Sequence, residues 1–200
     1  MLLTKIKSCL LGSFLRLFQI PRILLFRILS NCKVFGRPYL MQPVQLIGKG
    51  EIHFNGRVTI GVFPSPYFLN GYGYIEARNP GARVTIGTGT WINNNFVAIS
   101  EHTRITIGKN VIIGTCVEIY DSNFHGLEAN RRHISCPEEA AEVFIEDNVF
   151  IGSNVTILKG VTIGQDSVIA NGSLVTKSIP SGVVAGGSPA TVLKQISGNA

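Results

Sequence analysis

Two hundred residues at 45% hydrophobic content suit one folded domain and exclude a disordered chain. The formal charge of +6 raises nucleic acid as a partner, but no Lys/Arg stripe with interleaved aromatics accompanies it, so no nucleic-acid role is expected. Cys9, Cys32, Cys116 and Cys136 lack C-x-x-C spacing, and a chain with this much core needs no disulfide framework; free thiols in a reducing compartment are expected, with Cys116 packed beside the core.

Residues 1–40 form a basic apolar segment carrying Lys5, Lys7, Arg16, Arg22, Arg27, Lys33 and Arg37. Helix is expected to about residue 30, with a break at Pro21. The longest uncharged run before Arg16 is Ser8 to Leu15, far short of the roughly 20 apolar residues a bilayer span takes. No small-residue cleavage site marks a signal peptide. Two readings stay open for residues 1–30: a cap over the end of the repeat array that follows, or an interfacial helix at an anionic membrane.

From Gln42 to Tyr74 an apolar rhythm begins imperfectly, and VFPSPYFLNGYGY reads as an extra loop rich in Pro and Gly. Beyond it the rhythm is plain. Ile86 and Ile92, then Ile107, Ile113 and Ile119, then Ile145, Ile151, Ile157, Ile163, Ile169 and Val175 recur every six residues. Glycine follows Ile107, Ile113, Ile151 and Ile163. This period fits neither a helix nor an alternating strand; it fits a β-solenoid whose short sides each contribute one inward aliphatic and then turn. Ile86 to Ile107 is 21 residues, three more than three sides, which places a half-side insertion near Ala98 to Arg104. The rhythm stops at Tyr120 and resumes near Val143, so 121–142 is a long loop within a 41–180 solenoid, and 181–200 is a C-terminal tail.

The stretch from Val143 through Lys194 resembles the C-terminal half of the hexapeptide-repeat acyltransferases, closest to the galactoside, maltose and polysaccharide O-acetyltransferases. The likeness covers roughly residues 84–195. It implies an all-β left-handed parallel β-helix with an N-terminal helical segment, usually a homotrimer, using acetyl-CoA as acyl donor and no metal. The family's catalytic histidine maps to His125 in YDSNFHGLEANRRH. Its acceptor-contacting asparagine maps to Asn94 in WINNNF, with Asn93 and Asn95 as neighbouring alternatives, and an acidic acceptor contact falls near Glu101 or His102. Coenzyme positions carry over to Ser153, Gly160, Asn171, Thr176, Lys177 and Lys194. The chain departs from the pattern at Phe150, where tryptophan is common, at Asn171, where a small residue is usual, and at Lys194, where arginine is usual.

The implied chemistry suits the residues. A sugar hydroxyl is almost fully protonated at neutral pH, and a histidine, with an ordinary pKa near 6.5, takes that proton as the oxygen attacks a thioester. Asp121 and Asn123 flank His125 and would orient it or bind the sugar, although Asp-Ser-Asn is also an ordinary turn former. Arg131 and Arg132 would meet an anionic acceptor. His53, His102, His125 and His133 are too irregularly spaced for the three-histidine zinc site of the γ-class carbonic anhydrases. The expected function is O-acetylation of a sugar in bacterial surface-polysaccharide synthesis, in the cytoplasm or peripheral to the inner membrane. N-acetylation of a nucleotide-linked amino sugar and a non-catalytic β-helical scaffold are the alternatives.

Overall fold

A computed structural model describes residues 2–196. Met1 and residues 197–200, the outer ends of the predicted cap and tail, lie outside the described residues. So do the side chains of residues 2–11, 13 and 16, among them Lys5, Lys7, Cys9 and Arg16.

Each coil lays one short strand on each of three parallel sheets. The first face stacks Lys33–Phe35, Glu51–Phe54, Arg83–Ile86, Arg104–Ile107, Val143–Ile145 and Thr162–Ile163. The second stacks Tyr39–Leu40, Thr59–Ile60, Trp91–Ile92, Ile112–Ile113, Phe150–Ile151, Val168–Ile169 and Val183–Gly187. The third stacks Val44–Ile47, Gly73–Ala77, Val97–Ser100, Glu118–Tyr120, Thr156–Ile157 and Leu174–Val175. Three parallel sheets, each taking one short strand per coil, make a parallel β-helix, the solenoid that the rhythm predicts.

The sixfold rhythm is the core. Ile86, Ile107, Ile145 and Ile163 pair in one register on the first face. Ile60, Ile92, Ile113, Ile151 and Ile169 do so on the second, and Ile75, Ala98, Ile119, Ile157 and Val175 on the third. All are buried, each isoleucine or valine contributing about 1.5–3 kcal/mol. Corners need backbone with φ near +55 to +60°. Asn110, Asn148 and Asp166 supply it between the first and second faces, and Asn95, Cys116 and Asn154 between the second and third. Cys116 is therefore a half-exposed corner residue, not the core-adjacent one expected.

The boundaries also move. Strands begin at Lys33, upstream of the expected boundary at 41, because Val34 and Leu40 already pair with Ile52 and Ile60 of the next coil. The tail is not free. Val183–Gly187 completes the second face, and Ala190–Gln195 folds back antiparallel against it.

Helix α1 spans Leu2–Ile28 and runs through Pro21 without the expected break. Side chains on both sides of the proline fix the helix to the solenoid: Gln19 Nε2 donates to Phe68 O (2.6 Å) and Arg22 to Gly71 O (2.9 Å). Those tertiary bonds offset the one hydrogen bond proline removes. Ser30 Oγ then accepts from Leu46 N (2.9 Å), seating the helix end on the first coil.

Replacing Ile157 by aspartate puts an unpaired charge inside the stack, and no folded protein should be recovered. Ile157→Val should cost only about 1 kcal/mol in a denaturant unfolding curve.

Candidate active site

Three successive coils carry insertions at one corner, between the third and first faces. Ile75 to Ile86 is 11 residues, Ala98 to Ile107 nine, and Ile119 to Ile145 twenty-six, where six would suffice. The insertions stack and bond to one another. The largest leaves the wall after Tyr120 and returns at Val143, where Ile105 resumes pairing. Its base is clamped by Ala141 N to Asp121 O (2.9 Å), Gly160 N to Ala141 O (3.3 Å), and the Lys159 ammonium on Glu139 O.

His125 projects from this loop, exposed to solvent. Its Nδ1 lies 2.9 Å from the Arg132 carbonyl oxygen. A carbonyl only accepts, so the neutral ring carries its proton on Nδ1 and keeps the lone pair on Nε2. The turn that makes this bond is tight. A Cβ on Gly126 would lie 2.6 Å from Arg131 O, so only glycine fits there.

A buried polar chain supports the turn. Phe124, itself at φ +61°, donates its N–H to Ser122 Oγ (2.8 Å), and that hydroxyl donates to Glu101 Oε2. Arg78 bridges Glu101 (3.1 Å) to Glu76 (2.7 and 3.2 Å) while its guanidinium lies 4.9 Å from the Phe124 ring centre. Tyr74 donates to Glu76 at 2.9 Å. Burial and then this bond to the Glu76 carboxylate push the Tyr74 phenol up to about 12. At Glu101 burial opposes ionisation, but bonds from Ser122, Ser135 and Arg78 outweigh it and hold the carboxyl below its ordinary range. His102 braces the returning limb, with Nε2 3.0 Å from Ser135 Oγ and Nδ1 3.3 Å from the Asn79 amide.

Three of the expected acceptor contacts have other partners. Asp121 is fully buried and accepts from Glu101 N (2.7 Å), His102 N (3.1 Å), Thr103 N (2.8 Å), Thr103 Oγ1 (2.9 Å) and Ser100 Oγ (3.2 Å). It ties the half-side insertion down and does not reach His125. Asn94 is also fully buried, donating to Val62 O (3.0 Å) and Pro66 O (2.7 Å) and accepting from Val62 N (3.1 Å). It closes the 62–66 loop. Asn93 turns its amide oxygen onto Asn94 N at 2.8 Å. Glu101 belongs to the buried chain just described. Asn123 stays half-exposed beside His125 and donates to Glu139 (3.1 Å), and Arg131 holds the loop through Glu138 (3.0 Å) and the Cys136 sulfur (2.9 Å). The sequence reading missed Glu76 and Arg78. Their signal was Tyr74-x-Glu76-x-Arg78, which the period of a strand puts on one outer face.

The expected coenzyme residues divide between two corners. Gly160, Thr176 and Lys177 continue the corner from which the His125 loop springs, all exposed. Ser153 and Asn171 stack at the corner between the second and third faces, where Ser153 N donates to Asn171 Oδ1 (2.8 Å). Asparagine stands at 171 because its amide oxygen caps the coil beneath it. Lys194 lies opposite Val184 on the returning strand, above the second face. Among the described residues no three His, Cys, Asp or Glu side chains converge as a metal site would require.

Residues 142–177 match the sequence model of the hexapeptide repeat of succinyl-transferase. Galactoside O-acetyltransferase of Lactococcus lactis is 38% identical over 116 residues, covering 58% of this chain and 55% of that one. The chain spans little more than half the length of the curated relatives it matches, 55% to 58% of them. A hexapeptide-repeat acetyltransferase of Vibrio cholerae, solved with acetyl coenzyme A, covers 89% of this chain, with 78% of its own length matched, at 26% identity and a TM-score of 0.54. The polySia-specific acetyltransferase NeuO matches over 84% of this chain and 85% of its own at 28% identity and TM-score 0.51.

Asp121→Asn keeps the volume but loses acceptor capacity inside a saturated site; it should cost about 2–4 kcal/mol in a denaturant unfolding curve. Glu101, held below its ordinary range, contributes stability above that range and loses it as pH falls through its own lowered value. In Glu101→Gln the melting temperature should be lower near neutrality and should fall less on acidification than in the parent.

Proposed function

We propose that this hexapeptide-repeat protein, which shares the fold and sequence signature of the sugar acetyltransferases, transfers an acetyl group from acetyl-CoA to a hydroxyl of a sugar or glycan. The observation that carries the reading is the His125 imidazole, whose Nδ1–H is fixed on the Arg132 carbonyl while Nε2 presents its lone pair to solvent. In the proposed step the hydroxyl oxygen attacks the thioester carbonyl carbon as its proton passes to Nε2. The tetrahedral oxyanion collapses, the C–S bond breaks, and the departing thiolate takes the proton from the imidazolium. The products are an acetyl ester and free coenzyme A, and no acyl-enzyme forms.

The Vibrio cholerae structure with acetyl coenzyme A supports the donor. Lys177 and Thr176, exposed on the corner of the His125 loop, are suited to the coenzyme's phosphates. A groove that also uses Ser153 and Asn171 draws on a second edge of the prism, and packing three copies about a threefold axis brings unlike edges together. We therefore take the protein as a homotrimer. The outward column of Trp91, Ile112 and Phe150 on the second face, each about half exposed, is the wall a neighbouring copy would cover. The galactoside and polySia enzymes support a sugar acceptor. Asn123, Arg131 and Arg132 are the polar groups of the His125 loop placed to hold it, and Arg131 and Arg132 favour an anionic glycan. The pathway proposed is bacterial surface-polysaccharide synthesis on the cytoplasmic side of the membrane.

His125→Ala should lower kcat about 10²–10⁴-fold, read as free-thiol release from acetyl-CoA with a panel of sugar acceptors, while circular dichroism stays unchanged. A loss below tenfold removes His125 from the role. Mass analysis of the product decides the acceptor atom. An ester supports the proposal; acetylation of amino sugars alone, as amides, contradicts it.

A further inference from the structure

The outer side of α1 and the open end of the solenoid beside it take no part in the site above. The inner side of the helix is occupied: Gln19 and Arg22 bond the 62–72 loop, and the Phe26 ring lies 4.8 Å from that of Tyr72. At about 100° per residue, the side opposite Gln19 over residues 14–28 consists of Phe14, Leu17, Phe18, Pro21, Leu24, Leu25 and Ile28. None is polar. Leu17 is 72% exposed and Ile28 80%. A surface helix that packs one face is ordinarily polar on the other, so an apolar outer stripe marks a second contact.

Charge identifies the occupant. Eight of the 18 basic residues precede Glu51: Lys5, Lys7, Arg16, Arg22, Arg27, Lys33, Arg37 and Lys49. None of the 12 acidic residues does, so the rest of the chain carries 10 basic and 12 acidic residues. The positive charge of the protein is therefore concentrated at the end that exposes the apolar stripe. Beside it, Arg27 and Arg37 rim a cleft of about 570 Å³ whose walls include Ile23, Val34, Leu40 and Leu46. Among the described residues no helix is long and apolar enough to cross a membrane. A second copy would bring the same positive end, and like charge opposes that pairing. An anionic lipid surface supplies both acyl chains and phosphates.

We propose that α1 lies in the headgroup layer of an anionic phospholipid membrane, with Leu17, Leu24 and Ile28 among the acyl chains and Arg27 and Arg37 at the phosphates. The inference does not depend on acetyl transfer. It is tested by co-sedimenting the full chain with vesicles of phosphatidylcholine alone and of phosphatidylcholine mixed with phosphatidylglycerol. Binding is expected with the mixed vesicles only, weakening as salt is raised. Arg27→Glu with Arg37→Glu should reduce it at least about tenfold, since each basic charge removed is worth about fivefold. Leu17→Ser, Leu24→Ser and Ile28→Ser together should abolish it while the unfolding transition and oligomeric state stay unchanged. Absence of binding to the mixed vesicles, or equal binding by both sets of variants, overturns the proposal. So does a loss of binding that comes with a change in oligomeric state, which assigns the helix to self-association.

Discussion

The register between stacked coils is the constraint on which everything else rests. Ile107 and Ile145 occupy adjacent rungs of one column, as do Ile145 and Ile163, although 38 residues separate the first pair and 18 the second. A parallel ladder that slips by one residue turns its aliphatics outward and its polar residues into the core. Surplus residues must therefore leave at a corner and come back in phase. The solenoid thereby carries long functional insertions at little cost to its core, and the insertions inherit the axial spacing of the coils.

Three of them leave at the same corner, and their stacking builds the site. Each insertion would be an ordinary surface loop alone. Together they bury carboxylates that need partners, and they supply those partners to one another: Asp121 to the Glu101–Thr103 turn, Arg78 to Glu101, and His102 to Ser135. Ser122 passes the support to Phe124 N, one residue from His125. An exposed imidazole is thus held by a buried network, which gives the ring a fixed backbone while leaving Nε2 open.

The sequence displayed what depends on periodicity. The columns from Ile86 onward, the half-side insertion and the long loop all follow from counting in sixes, and His125 stands out because the count fails around it. What depends on burial was not visible. Asn94 and Asp121 look like ligand residues in one dimension, yet each lies at a corner where the neighbouring coil saturates it. Cys116 sits where the rhythm allows a core residue, but the corner geometry requires positive φ. The start at Lys33 was hidden because Leu40, followed by Met41 and not by glycine, stands in the column of Ile60 and Ile92. Pro21 signals a break only while the helix is considered without the loop that holds it.

Loop, network and tautomer converge on one nitrogen. The direct measurement is a ¹⁵N NMR spectrum of the His125 imidazole in the full-length protein, with the ring neutral. A protonated Nδ1 and an unprotonated Nε2 are expected. A proton on Nε2 would mean that the Arg132 carbonyl does not hold the ring and that Nε2 cannot take the hydroxyl proton as proposed.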